Sequence, residues 1–268
     1  MESNSTNREF SASHSTPVRR SQPYRALAQI YDKVMSHVPY ARWADYIHRI
    51  IHENLPGKEK SAIRVLDIGC GTGEFLRNFR ARGFSADGCD PVQEMIEIAR
   101  RKNPTAQFWT AGLPELKWIP AQQYNVMTCL YDSINYLSGM GSIKQALIRI
   151  YELLASPGLF IFDAVSDEFC RNYFHQYSEN ETFDGGFAYS RQAYYDTARR
   201  RQVNEITVYT PQGIYQEVHE QYIFSFSTMK YIIVRETPFE LIGMYEDFTF
   251  YDAEEDSNRA HFILKKSG

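Results

Sequence analysis

The run "VLDIGCGTGEF", residues 65–75, constrains this chain more than any other stretch. An apolar segment ends in an acid and passes directly into a glycine-rich turn that opens a helix. Such a turn brings backbone N–H groups close to a ligand at the end of a parallel strand. The glycines at 69, 71 and 73 form G-x-G-x-G rather than G-x-G-x-x-G, and Glu74 stands where the third glycine of a dinucleotide fingerprint falls. An acidic side chain there repels a pyrophosphate. The next strand ends in "GCD", which places Asp90 about twenty residues past the loop, where an acid accepts from both ribose hydroxyls. The pattern therefore points to a nucleoside without a phosphate chain. A Rossmann-like domain for another nucleotide is the alternative.

The surrounding periodicity predicts an α/β fold, a doubly wound, Rossmann-like, mostly parallel sheet. Residues 23–37 and 40–54 have helical apolar spacing and read as a pair of helices within 23–57. A core over 62–165 alternates strand and helix: "IRVLDIG", a helix over 73–81, "FSADGCD", a helix over 92–102, "AQFWT", "YNVMTCLY", a helix capped by Ser142, and "GLFIFDAV". Residues 186–226 then hold three strand-like runs with short turns, an inserted antiparallel β-meander. A closing helix (227–236) and an edge hairpin complete residues 227–268. Residues 1–22, rich in Ser, Asn, Thr and Arg, read as a disordered tail ahead of one domain spanning 23–268.

"VLDIGCGTGEF" followed by "GCDPVQEMIEIA" resembles the class I S-adenosylmethionine-dependent methyltransferases. The resemblance implies S-adenosyl-L-methionine as cofactor. It implies Asp67 at the head of the loop, bracing it or meeting the cofactor's amino group, and close backbone approach at Gly69, Cys70 and Gly71. Asp90 would take the ribose, with Pro91 and Met95 beside the adenine and Leu130 at the end of the fourth strand. The family commonly carries an acid for the adenine amine after its third strand. This chain has Gly112 there, which leaves only the backbone of Gly112 and Leu113 for that contact.

"LYDSINYL" and the upstream "YRALAQIYDKVM…YARWADYI" are similar to the small-molecule, N-methyltransferase-like branch of that family. In that pattern Tyr24, Tyr31 and Trp43 are cofactor-lid residues; packing within an amphipathic helix pair is their other role. Methyl transfer from a sulfonium is an in-line displacement that needs alignment and desolvation, with a base only where the nucleophile arrives protonated. Candidate groups are Tyr131, Asp132, Asn135 and Tyr136 after strand four, and His219 on the meander. Alternation sets Glu217, His219 and Gln221 on one strand face, toward a pocket, solvent or a second subunit. The meander is expected to wall the acceptor site.

The remaining features narrow the function further. No Asp/Asn-Pro-Pro-aromatic run follows strand four, Cys129 does not follow a proline, and the net charge is −4, so nucleic acid is a poor partner. No acidic cluster suggests a metal. The four cysteines include no CxxC pair, and no apolar stretch is long enough to span a membrane, which fits a cytoplasmic protein. The expected function is methyl transfer to a small-molecule acceptor, more readily an amine nitrogen than an oxygen, with a homodimer as the candidate assembly. The alternative is a regulatory or scaffold protein of the same fold that binds the cofactor without transferring its methyl group.

Overall fold

The computed structural model describes residues 17–268. Most of the expected tail, residues 1–16, lies outside the described residues. Its last part corrects the expectation: Val18–Arg20 form strand β1, paired in parallel with Ile214–Gln216. Residues 23–37 are not one helix either. They form a 3-10 turn at Leu27–Gln29 and a single helical turn, α1 (Tyr31–Val34). Tyr24 is left-handed at φ 66°, and Ile30 departs from helical geometry at φ −122°. Ala26, Leu27 and Ile30 instead bury against Tyr189, Ile206 and Val208. A segment this short has little intrinsic helical stability, so tertiary burial decides its path. Helix α2 (Tyr40–Asn54) matches its expected bounds and buries Trp43, Ile47, Ile50 and Ile51 on one face.

The alternation expected next is present: β2 (Arg64–Ile68), α3 (Glu74–Arg80), β3 (Ser85–Asp90), α4 (Gln93–Lys102), β4 (Phe108–Thr110), β5 (Tyr124–Cys129), α5 (Met140–Leu153) and β6 (Leu154–Val165). Ser142 does not cap α5; Gly139 precedes the helix and no side chain caps it. A helix and a strand that the sequence did not signal follow, α6 (Asp167–Tyr173) and β7 (Tyr177–Phe183). Ser166 caps α6 by accepting the Phe169 N–H at 3.0 Å. The meander is β8 (Phe187–Asp196), β9 (Arg201–Thr210) and β10 (Gly213–Tyr222). Helix α7 (Phe226–Glu236) leads to the hairpin β11 (Glu240–Glu246) and β12 (Arg259–Lys266).

Seven strands build the central sheet in the order β11-β12-β6-β5-β2-β3-β4. The five from β6 to β4 are parallel, and β12 and β11 add antiparallel at one edge. Helices cover both faces. Ile143, Leu147, Phe226 and Ile233 pack with Phe160 and Phe162 in one core, while Ile47, Ile51, Leu76 and Ile96 pack with Val65 and Ile161 in the other. Strands buried on both faces call for largely apolar runs, which β6 supplies most fully, while β3 buries Asp87 and Asp90 among its residues. The second sheet has five strands in the order β1-β10-β9-β8-β7.

Candidate active site

The strand order reverses between β2 and β5, so the loops leaving their carboxyl ends diverge and open a crevice. The glycine loop lies there. Gly71, at φ 52°, needs the left-handed region, and a Cβ on it would stand 3.6 Å from the Tyr31 ring. Gly73 serves packing instead: a Cβ there would meet Asn103 Nδ2 at 2.8 Å and the Ala99 Cβ at 3.2 Å, so glycine lets α3 and α4 approach. The loop is turned onto β3 by the Gly69 and Cys70 N–H groups, which donate to the Cys89 carbonyl at 2.8 and 3.0 Å.

Asp90 is the hub of this end. Its Oδ2 accepts the Gly71 N–H at 3.0 Å and its Oδ1 accepts the Val92 N–H at 2.9 Å. Each carboxylate oxygen keeps a second lone pair for a ligand hydroxyl. Asp67 accepts the Thr128 hydroxyl at 2.6 Å. Burial pushes the Asp90 carboxyl up to about 6. Burial, with the Asp90 charge adding, pushes Asp67 up to about 7. Two buried acids with free lone pairs beside a glycine backbone suit a cationic ligand that carries ribose hydroxyls, so the residues fit S-adenosylmethionine.

A cavity of about 520 Å³ joins these groups. The loop residues Asp67, Gly69, Cys70 and Gly71 line it. So do Asp90, Pro91, Met95, Gly112 and Leu113 at one end, Leu130 and Tyr131 after β5, and Tyr24, Tyr31 and Trp43 from the lid. Every residue assigned to the cofactor from the sequence therefore borders one space. A Cβ on Gly112 would press on Pro91 at 3.0 Å, so a side chain where the family carries its acid would crowd Pro91. Gln22, Tyr40, Thr72 and Ser133 also line the cavity and were not foreseen. Only the tertiary path of the lid brings the first two there.

Glu74, the residue that argued against a pyrophosphate, borders the cavity and is paired with Arg77 and Lys102. Lys102 Nζ also lies 2.6 Å from Asp32 Oδ2, and Asp32 Oδ1 accepts the Thr72 hydroxyl at 2.6 Å. Asp32 thus ties α1 to the glycine loop.

Two catalytic candidates lie elsewhere than expected. Asp132 does not border the cavity, because its carboxylate is spent on Arg259 at 2.9 Å and Gln221 at 2.6 Å. His219 does not border it either. Its ring lies behind Tyr24, 4.4 Å between centroids, with Nδ1 3.3 Å from Tyr136 Oη and Nε2 3.0 Å from Glu217. The alternation is as expected, with Glu217, His219 and Gln221 buried and Val218 exposed. That face meets the lid and the post-β5 turn instead of the cavity, and no residue of the meander lines the space. Tyr222 is on the opposite face, under the Arg201 guanidinium.

Tyr131 and Tyr136 do border the cavity. Tyr131 and Asp132 are consecutive left-handed residues at φ 60° and 52°. Asp163 holds them there by accepting both N–H groups, at 2.7 and 2.9 Å, and is itself paired with Arg259. Strain of this kind persists only where the surroundings over-determine it. Burial lifts the Tyr131 phenol to about 12. Among the described residues no group of three or more His, Cys, Asp or Glu is placed to hold a metal ion, and no helix is long and apolar enough to cross a membrane.

Fold, crevice and cavity together define a class I S-adenosylmethionine-dependent methyltransferase. The family model described as a methyltransferase domain matches residues 35–219, and the chain belongs to that family. A protein of Geobacillus sp. (strain WCH70), named provisionally as a methyltransferase, is 29% identical over 252 residues, which cover 91% of this chain and 99% of that one. A dTDP-3-amino-3,6-dideoxy-alpha-D-glucopyranose N,N-dimethyltransferase of Streptomyces fradiae is 26% identical over 139 residues, 51% of this chain and 52% of its own. Among solved structures, an S-adenosylmethionine-dependent methyltransferase from Clostridium acetobutylicum ATCC 824 superposes with a TM-score of 0.75 at 21% identity, covering 90% of this chain and 98% of that one.

Proposed function

We propose that the enzyme methylates an amine nitrogen of a small molecule. The observation that carries this reading is the charge of the cavity. Asp67, Glu74 and Asp90 line it, and among the described residues no Lys, Arg or His does. An anionic acceptor, such as a carboxylate or phosphate at the reacting end, would find no counter-ion. An amine meets no cationic side chain there and finds the rings of Tyr24, Tyr31, Tyr131 and Trp43, whose faces tolerate and attract cationic groups. The volume of about 520 Å³, shared with a cofactor, leaves room for a small acceptor group rather than a polymer segment. The similarity to a sugar N,N-dimethyltransferase supports the same class of acceptor.

S-adenosylmethionine supplies a methyl group on a sulfonium that is already a good leaving group. The chain supplies alignment and dryness. Asp90 takes the ribose hydroxyls, Asp67 the cofactor's amino group, and the Gly71 backbone allows close approach. The lid residues Tyr24, Tyr31 and Tyr40 exclude water from the space, and the acceptor nitrogen enters with its lone pair free. Tyr24 and Tyr136 set two hydroxyls in the wall of the same cavity. The cofactor-binding roles and the part of Tyr131 as a cavity wall belong to this proposal.

Incubation with methyl-labelled S-adenosylmethionine and a metabolite extract tests it, with the labelled product placed by fragmentation mass spectrometry. Label on the nitrogen of a small amine is the expected result. Label on oxygen, or only on protein or nucleic acid, would overturn the reading.

A further inference from the structure

Tyr24 and Tyr136 meet hydroxyl to hydroxyl at 2.7 Å in the cavity wall. Either could donate, and the far end of the chain of contacts decides which does. Glu217 is fully buried on β10, and its carboxylate is ringed by donors. Its Oε1 accepts the N–H of Ala26 at 2.6 Å, that of Leu27 at 3.2 Å and the Ser21 hydroxyl at 3.3 Å; its Oε2 accepts the Tyr24 N–H at 2.8 Å. A carboxylate so surrounded accepts from every neighbour. His219 Nε2, 3.0 Å from Oε2, is therefore a donor.

A neutral imidazole that donates at Nε2 accepts at Nδ1. The Tyr136 hydrogen then points at His219 Nδ1, 3.3 Å away. The Tyr24 hydrogen in turn points at Tyr136 Oη, and Tyr24 Oη keeps only lone pairs. Burial holds both phenols above their ordinary range, so both hydrogens stay in place. The backbone of Tyr24 is left-handed at φ 66° and is pinned by the same Glu217, so strain and polarity share one anchor.

We propose that Glu217 and His219 are positioning residues that polarise this chain, so that Tyr24 Oη accepts a hydrogen from the reacting nitrogen of the substrate. The proposal rests on the amine reading and deepens it. A neutral amine that bears hydrogen docks with N–H on Tyr24 and its lone pair toward the methyl group; the C–S bond breaks as the N–C bond forms, and the resulting ammonium gives up its proton to solvent on release. A neutral tertiary amine has no hydrogen to offer, so methylation stops there. Primary and secondary amines are the substrates, and a tertiary amine is the last product.

The direct test is ¹⁵N NMR of the imidazoles in the protein bound to S-adenosylhomocysteine near neutral pH. The His219 signals are assigned by their loss in His219→Gln. A neutral ring with its hydrogen on Nε2 is expected, and Tyr136→Phe, which removes the donor to Nδ1, should shift only the Nδ1 resonance. A hydrogen on Nδ1, a charged ring, or an Nδ1 resonance indifferent to Tyr136→Phe overturns the proposal. No methyl acceptor is needed, so this result is separate from the fate of the amine reading. With the labelled amine as substrate, Tyr24→Phe, which keeps the ring and removes only the hydroxyl, should lower kcat about tenfold, the loss of one hydrogen bond. A quaternary ammonium product, or an unchanged kcat, also overturns it.

Discussion

Gly71 and Asp90 are joined across the crevice: the Gly71 N–H donates to Asp90 Oδ2 at 3.0 Å. The glycine loop and the acid proposed to take the ribose are one hydrogen-bonded unit. Asp90→Ala should therefore do more than remove a ligand contact. It leaves the Gly71 and Val92 N–H groups without their acceptor, and bonds to a charged group contribute about 1.5–3 kcal/mol each. Cofactor affinity should fall at least about tenfold and the melting temperature should drop. Calorimetry and thermal unfolding of the variant measure both.

The pH dependence of cofactor binding follows from the buried acids. Burial raises the Asp90 carboxyl to about 6 and the Asp67 carboxyl to about 7 in the free protein. A cationic ligand favours their ionised forms, so affinity should rise as pH increases through about 6–7 and binding should release protons. The stability of the free protein runs the other way. A carboxyl raised above its unfolded value near 3.9 contributes stability that is present below that value and lost as pH rises through the folded one. Titrations in buffers of different ionisation enthalpy count the protons. Asp67→Asn should flatten both profiles.

Asp32 fastens the lid to the glycine loop through Thr72 and Lys102. The pair is partly exposed, so Asp32→Ala should cost under about 1 kcal/mol of stability. Its larger effect should be kinetic. Bound S-adenosylhomocysteine should leave several times faster, as stopped-flow displacement would show.

Removal of residues 1–22 strips β1 from β10 and takes away Ser21, which bonds to Glu217, and Gln22, which lines the cavity. A loss of about 1–2 kcal/mol lowers the melting temperature of a chain this size by several degrees. Cofactor affinity should weaken as well. Differential scanning calorimetry and a binding titration of the shortened protein give the two values.

What the sequence discloses and what it hides divide along physical lines. The parallel sheet is legible because β2, β5 and β6 are buried on both faces and read as mostly apolar runs, whereas β3, buried but carrying Asp87 and Asp90, is legible from its place in the strand–helix alternation. The glycine loop and Asp90 are legible because backbone approach and ribose binding each demand a residue type at a fixed place. Strands β1 and β7 are hidden because their residues are largely exposed; only backbone pairing makes them strands. The face of β10 that carries His219 is legible from alternation, but its partners Tyr24 and Tyr136 lie far away in sequence. The left-handed pair Tyr131–Asp132 contains no glycine to announce it. Asp163 and Arg259, from two other strands, impose it.

In the proposed mechanism one cavity seats the cofactor on Asp90 and the acceptor against Tyr24 and Tyr136. A crystal structure of the complex with S-adenosylhomocysteine tests this most directly. The ribose hydroxyls should lie within hydrogen-bond distance of Asp90, with the sulfur facing the side of the cavity where the Tyr24 and Tyr136 hydroxyls meet. Ribose hydroxyls held away from Asp90, or a sulfur turned away from both tyrosines, would contradict it.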